Sequence, residues 1–265
     1  MIVSDDYGFV FIHIPKCGGE SVRKGLTSID PGAADHREIG PHPVLGEIDY
    51  GHVRLSVLKA HFPEIWDRLQ RYETFAVVRD PFDRFASSLS QFLYRSKGVS
   101  LYYLDRREMQ AELADMARVL SRDPAVEHVR HSHFQRQADF IECDGATVAA
   151  HVRPLERIDL LAGDFRTHCG LTLRLDGKVN DSRGKRTHGR DLARYRRERR
   201  GPGAALIGGV LRRALPAETR DALRRSLRPS VEAGRVVRED RRIRRFVESF
   251  YERDFELYDR YASAD

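Results

Sequence analysis

Apolar runs that end in glycine or proline turns and lead into amphipathic segments recur along this chain. Residues 9–14 are rich in aromatic and β-branched side chains and predict a buried strand, followed by a glycine turn and a helix over 20–26. Residues 74–79 predict a second buried strand. An aspartate–proline pair follows it, which is typical of a helix start, and residues 82–94 then carry apolar side chains at helical spacing.

The remaining pattern predicts further strands and helices in alternation. Helices are expected over 106–120, 125–135, 158–169 and 243–258, and strands over 139–143 and 147–153. Strands that alternate with helices predict an α/β fold, a parallel sheet flanked by helices. At 265 residues without repeats, the chain is expected to form a single domain over 1–265.

Charge is distributed very unevenly along the sequence. The formal net charge is +6, and 40 of the 46 basic residues are arginine. Residues 183–245 hold 20 arginines and Lys185 against seven acidic residues, a local net of +14, which leaves −8 for the rest. We therefore expect a basic, mostly helical insertion over 183–240, with an amphipathic helix at 204–215.

Several classes of protein are disfavoured. Cys17, Cys143 and Cys169 have no paired spacing, which argues against a disulfide scaffold and a CxxC zinc site. No run of about 18 apolar residues suggests a membrane span. The first ten residues lack the basic start and apolar core of a secretory signal, so a cytoplasmic location is expected.

The turn after the first strand has the composition of an anion-binding loop. Lys16 supplies a mobile cation, Gly18 and Gly19 allow close approach to the backbone, and Ser21 lies in the first helical turn. A Walker A loop instead places its lysine after the glycines, so a magnesium–triphosphate site is disfavoured. An ordinary strand-to-helix turn is the alternative interpretation of this segment.

The second strand carries a matching signal. Arg79 lies at its carboxyl end, where ligands bind in open α/β sheets, and Ser87 lies on the following helix. A guanidinium and a hydroxyl in these positions can hold one phosphate from two sides. Alternatively, Arg79 pairs with Asp80 or Asp83 and Ser87 is a surface residue of the helix.

Together, Lys-x-Gly-Gly-x-Ser at 16–21 and Arg-Asp-Pro-Phe-x-Arg-x-x-Ser at 79–87 resemble the sulfotransferases that use 3′-phosphoadenosine 5′-phosphosulfate (PAPS). The nearest branch is similar to the carbohydrate-type, membrane-anchored enzymes (sulfotransferase family 2), including the uronyl 2-O-sulfotransferases. Further matching segments are 51–54, 137–141, 179–180 and 251–257.

The resemblance implies a PAPS-dependent transferase with a P-loop-like fold that moves a sulfuryl group to a hydroxyl without a metal. Lys16 is then expected to stabilise the leaving group, and Arg79 and Ser87 to hold the 3′-phosphate. The residues expected to bind the nucleotide are Lys16, Cys17, Gly18, Gly19, Glu20, Ser21, Arg79 and Ser87. Gln137, which also matches a family position, is expected to have a structural role.

His52 is the candidate base. Imidazole titrates near neutral pH, and the segment 51–54 matches the one that carries the catalytic histidine in the uronyl 2-O branch. His61 is a rival, and a carboxylate of Glu47 or Asp49 is a more distant one. His13 lies within the first predicted strand and is expected to be a packed core residue.

The chain departs from the family pattern in three respects. Cys17 and Glu20 stand where hydroxyl residues are usual, the basic insertion is enlarged, and no membrane anchor is expected before the domain. The acceptor is expected to be a saccharide or a glycolipid-like molecule, with peripheral membrane contact and no nucleic-acid partner. The alternative function is non-catalytic binding of a polyanion or nucleic acid by the arginines of 183–245.

Overall fold

The computed structural model describes residues 1–36, 38–122, 129–175, 187–200 and 233–263, with only the backbone of Arg200. The expected helix at 204–215 and part of the expected helix at 125–135 lie outside these residues. From 129 onward that segment forms a 3-10 helix, Val129–Phe134.

A five-stranded mixed sheet forms the centre of the described structure. Its strand order is β3-β1-β2-β6-β9, with β2, β6 and β9 parallel to one another and β1 antiparallel to both β2 and β3. Two antiparallel hairpins, β4-β5 and β7-β8, lie outside this sheet. The strands are β1 (Ile2–Ser4), β2 (Phe9–Ile12), β3 (Ala34–Asp35), β4 (Ile39–His42), β5 (Gly46–Asp49), β6 (Glu73–Val78), β7 (Glu142–Cys143), β8 (Ala146–Thr147) and β9 (His151–Pro154).

The part of the chain that is described contains ten α-helices. They are α1 (Gly19–Ile29), α2 (Leu55–His61), α3 (Pro63–Arg71), α4 (Pro81–Lys97), α5 (Arg106–Arg122), α6 (Ile158–Cys169), α7 (Gly189–Arg200), α8 (Ala233–Glu239), α9 (Arg241–Phe250) and α10 (Glu252–Ala262). The expectation of an α/β structure with parallel strands flanked by helices is confirmed. β1 and β3 add an antiparallel edge that the sequence pattern did not predict.

The strand expected at 139–143 is wrong for most of its length. Ala138–Phe140 is a 3-10 helix, and only the last two residues form β7. The N–H groups of Phe140 and Ile141 donate to the carbonyls of Gln137 and Ala138 within this turn, rather than to a neighbouring strand. The N–H groups of Gln137 and Ala138 themselves donate to the buried carboxylate of Asp254, both at 2.9 Å. The strand expected at 147–153 likewise begins only at His151, because residues 146–147 complete the β7-β8 hairpin.

The single helix expected over 243–258 is divided at Tyr251, which has non-helical backbone angles (φ −112°, ψ 27°). The Tyr251 side chain is fully buried, and its hydroxyl donates to the Phe134 carbonyl at 2.8 Å. The chain turns at this residue from α9 into α10. The apolar side chains expected on one helix therefore pack on the core from two helices.

The buried apolar side chains of the described residues form two clusters. One cluster contains the sheet, where Phe75 of β6 stacks on Phe165 of α6 with ring centroids 3.9 Å apart. The other contains the inner side of α4 together with α5, α8 and α9. The Asp80 carboxylate caps α4 by accepting from the Asp83 N–H, and Pro81 follows as its first residue, as the sequence predicts.

Described parts of the basic segment pair with acidic residues of the same chain. In α7, Arg196 binds Glu108 at 2.9 Å and Arg199 binds Glu112 at 2.7 Å, both on α5. Tyr195 is 2% exposed and its hydroxyl donates to Glu112 at 3.0 Å. These carboxylates therefore neutralise arginines that, from the sequence alone, are candidates for binding a polyanion. No helix among the described residues is both long and apolar enough to cross a membrane.

One ion pair is completely enclosed. Arg84 of α4 is 1% exposed and Asp254 of α10 is 0% exposed, with 3.4 Å between the guanidinium and the carboxylate. Arg84 also donates to the carbonyls of His133 and Gln135 and lies 4.9 Å over the Tyr251 ring. Because a buried charge without its partner is costly, the pair couples α4 to α10.

We predict that Asp254→Ala lowers the free energy of unfolding by about 3–5 kcal/mol, because it leaves Arg84 as an uncompensated buried charge. The measurement is urea unfolding followed by circular dichroism. Asp67→Ala, which removes the exposed partner of Arg71, is the control and should hardly shift the midpoint. Equal midpoints for the two variants would contradict the role given to Asp254.

Candidate functional site

The loop between β2 and α1 forms an anion cradle. Lys16 has a left-handed backbone (φ 66°), and Gly18, the residue before α1, has φ 81°. This left-handed backbone favours glycine at position 18, where a Cβ would also lie 2.5 Å from Cδ1 of Leu155. The N–H groups at the start of α1 precede the first helical hydrogen bonds and point out of the helix end.

Two side chains of this loop are directed away from an anion. The Cys17 thiol is 1% exposed and donates to Oε1 of Gln137 at 3.1 Å, and burial raises its pKa to about 12. The carboxylate of Glu20 pairs with Arg23, one turn along α1. These contacts leave Cys17 and Glu20 their backbone N–H groups as possible ligands. The N–H of Ser21 donates to the Gly18 carbonyl at 3.1 Å.

Arg79 joins the end of β6 to this loop. Its guanidinium donates to the Lys16 carbonyl at 3.2 Å. Its main-chain N–H donates to Oε1 of Gln137 at 2.8 Å, and its carbonyl accepts from Nε2 of Gln137 at 2.9 Å. The alternative in which Arg79 pairs with an adjacent carboxylate is wrong, because Asp80 and Asp83 bind Arg238 of α8 at 2.7 and 3.0 Å.

Ser87 lies in α4, roughly two helical turns after Arg79. It is 4% exposed, so the alternative that it is a surface residue of this helix is also wrong. Contact between its hydroxyl and a phosphate stays a prediction.

His52 lies next to the cradle and is hydrogen-bonded to the main chain just after β2. Its Nδ1 is 2.9 Å from the His13 carbonyl oxygen. A carbonyl only accepts hydrogen bonds, so Nδ1 carries the proton and Nε2 keeps its lone pair. His13 itself is 7% exposed, a packed residue as expected. Its ring covers the start of α1, where a Cβ on Gly19 would lie 2.1 Å from Cδ2 of His13.

Burial keeps the histidines of this cluster neutral. The pKa of His52 is lowered to about 4, mainly by burial, with the nearby Asp49 carboxylate acting in the opposite direction. The rings of His13 and His133 lie 4.8 and 5.3 Å from that of His52, and burial also lowers the pKa of each well below its usual value. At neutral pH the lone pair on Nε2 of His52 is therefore available to accept a proton.

A cavity of about 110 Å³ adjoins His52. Its wall combines polar with aliphatic side chains and consists of Leu45, Ile48, Asp49, His52, Val53, Arg54, Val57, Val129, Ser132 and Gln135. Of the rival bases, Asp49 is in this wall. Glu47 is exposed on β5, and His61 packs against His42 with ring centroids 5.6 Å apart.

Sequence reasoning missed three features of this site. It gave no part to His133, which lies within the helix expected at 125–135. It did not single out Arg84, although Arg84 belongs to the motif at 79–87. It found no clustered metal-ligating residues, yet donor atoms of Asp49, His52 and His133 lie within 4.8 Å of one another. That the reaction needs no metal stays a prediction.

We predict that His52 does not titrate between pH 5.5 and 8, because burial lowers its pKa to about 4. Two-dimensional ¹H–¹⁵N NMR of the imidazoles should report a neutral ring protonated on Nδ1 throughout this range. The spectrum of His52→Ala assigns the signal. A midpoint near 6.5, or a proton on Nε2, would contradict the geometry described above.

The similarity of this chain to known proteins lies in the region that contains the site. The sequence model described as the sulfotransferase family matches residues 1–157, more than half of the chain. No match was found among curated proteins or among solved structures. The matched region contains the anion cradle, the cluster around His52 and the strand that ends at Arg79. On this match, the chain belongs to the sulfotransferase family.

Proposed function

We propose that this sulfotransferase moves the sulfuryl group of PAPS to a hydroxyl of a saccharide or saccharide-like acceptor. Lys16, the backbone N–H groups of residues 17–20 and the Ser21 hydroxyl hold the 5′-phosphosulfate, and Arg79 and Ser87 hold the 3′-phosphate. His52 is the base. The likeness of segment 51–54 to the uronyl 2-O-sulfotransferases supports that assignment.

The reaction is an in-line displacement at sulfur. The acceptor oxygen forms a bond to sulfur, and the bond between sulfur and the bridging phosphate oxygen breaks. The acceptor proton goes to Nε2 of His52, while Nδ1–H remains bonded to the His13 carbonyl. Lys16 neutralises the charge that develops on the bridging oxygen, and adenosine 3′,5′-bisphosphate leaves.

The observation that carries this proposal is the meeting of three distant segments. The Arg79 guanidinium bonds to the Lys16 carbonyl, and the His13 ring lies against Gly19 in the same loop. His52 in turn bonds to the His13 carbonyl. An anion cradle, a second cation and a neutral base therefore adjoin one another, and sulfuryl transfer requires these three groups.

The cavity beside His52 supports a ring-shaped, polyhydroxylated acceptor. The Asp49 carboxylate and the Arg54 guanidinium suit hydroxyl groups, and the aliphatic side chains suit the C–H face of a sugar ring. Its volume of about 110 Å³ is far below that of a pocket for a whole ligand, which is roughly 300–1,000 Å³. The proposed acceptor therefore inserts only its reacting unit.

The polyanion-binding alternative has less support. In the described part of the basic segment, Arg196, Arg199 and Arg238 are paired with carboxylates of the same chain. An arginine in such a pair has to give up its partner before it binds a phosphate of another molecule.

Arg79→Gln should weaken the binding of adenosine 3′,5′-bisphosphate by at least about tenfold, because a charge-assisted contact to phosphate is lost. Isothermal titration calorimetry measures the change. Arg71→Gln is the matched control, an exposed arginine at the end of α3, and should bind like the wild type. Unchanged binding in Arg79→Gln, with the fold verified by circular dichroism, would argue against this site.

Transfer from radiolabelled PAPS should fall by about 10²–10⁴-fold in His52→Ala, because general-base catalysis is lost. Lys16→Ala should fall by about 10²–10³-fold through loss of charge stabilisation. His61→Ala is the control and should retain wild-type turnover. If His61→Ala lost activity while His52→Ala kept it, the assignment of the base would be wrong.

A further inference from the structure

A second group of metal-ligating side chains lies at the opposite end of the sheet. Glu73 is the first residue of β6, His151 is the first of β9, and His168 is in the last turn of α6. One donor atom from each lies within 4.8 Å of the other two. Since β6 rises about 3.3 Å per residue, Glu73 is roughly 20 Å from Arg79. This group is therefore separate from the proposed reaction site.

Sheet register explains why these residues meet. His151 pairs with Phe75 across the parallel strands, and Glu73 precedes Phe75 by two residues, so all three side chains are on one face of the sheet. Helix α6 covers that face through Phe165, which stacks on Phe75. The end of α6 thus brings His168 to the edge where Glu73 and His151 begin their strands.

Contacts within the protein position these three side chains without a bound ion. The His151 ring stacks on Phe75 with centroids 4.9 Å apart, and its Nε2 is 2.8 Å from the Glu73 carboxylate. The His168 ring lies only 4.0 Å from that of His151. Packing against the core fixes the orientation of the His151 imidazole, and the Glu73 carboxylate and the His168 imidazole lie next to it.

The chemistry of the donors selects the ion. Two imidazole nitrogens and one carboxylate oxygen form a set typical of Zn²⁺, whereas Mg²⁺ and Ca²⁺ prefer all-oxygen sites. The negative end of the α6 dipole, at the helix C-terminus, also favours a cation there. Side-chain exposures of 18% for His151 and 44% for Glu73 leave a path for the ion and room for solvent ligands.

We propose that Glu73, His151 and His168 bind one Zn²⁺ ion, with water in the remaining coordination position. The ion fastens the C-terminal end of α6 to the first residues of β6 and β9. Its role is structural, because the site is at the far end of the sheet from the anion cradle. This inference does not depend on the identity of the acceptor or on the transfer reaction.

The test is calorimetric titration of ZnCl₂ into the full chain, without a histidine tag and after removal of metals with a chelator. Wild type should bind Zn²⁺ at this site, and His168→Ala and Glu73→Gln should each weaken that binding at least tenfold. His188→Ala, which removes an exposed histidine of the described chain, should bind as wild type does. Zn²⁺ should also raise the melting temperature of wild type but not that of His168→Ala.

The other donor group, Asp49, His52 and His133, provides the decisive comparison. His133→Ala should keep the Zn²⁺ affinity that His168→Ala loses. If binding disappeared in His133→Ala and persisted in His168→Ala, the ion would belong to the cluster around His52 and the proposal would be overturned. Zn²⁺ binding that none of these variants weakens, or no binding by wild type, would overturn it equally.

Discussion

Gln137 is completely buried, and its side-chain amide binds two segments that are far apart in the sequence. Nε2 donates to the Arg79 carbonyl, while Oε1 accepts from the Arg79 N–H and the Cys17 thiol. The backbone N–H of Gln137 is in turn bonded to Asp254, the partner of Arg84. An apolar residue at 137 would leave the polar groups of Arg79 without these partners. Together with the bond from the Arg79 guanidinium to the Lys16 carbonyl, this amide fixes the relative position of the two segments that we propose to bind phosphate.

The same packing determines the state of the proposed base. His13 covers Gly19 with its ring and offers its carbonyl to Nδ1 of His52, which directs the basic nitrogen of His52 away from the main chain. Burial then keeps the ring neutral and lowers its pKa to about 4. A low pKa makes a weak base in the resting protein, and bound phosphates bring negative charge that favours the protonated imidazole. Proton transfer is therefore favoured most when the nucleotide is in place.

Much of this arrangement could be predicted from local sequence. The strands at 9–14 and 74–79 carry unbroken apolar runs, and the glycines and the aspartate–proline pair mark the helix starts. The strand expected at 139–143 failed because the N–H groups of Phe140 and Ile141 donate to the carbonyls of Gln137 and Ala138 in a 3-10 turn. The start of that turn is held by a carboxylate more than 100 residues away, Asp254. His133 and the pairing of Arg238 with Asp80 were equally hidden, since each contact joins segments whose distance is fixed only by the tertiary fold.

In the proposed binding mode, one nucleotide spans the cradle and the end of β6. A crystal structure of the chain with adenosine 3′,5′-bisphosphate tests this. We expect the 5′-phosphate on Lys16 and the N–H groups at the start of α1, and the 3′-phosphate on Arg79 and Ser87. A nucleotide bound elsewhere, or bound with its 3′-phosphate away from Arg79, would contradict it.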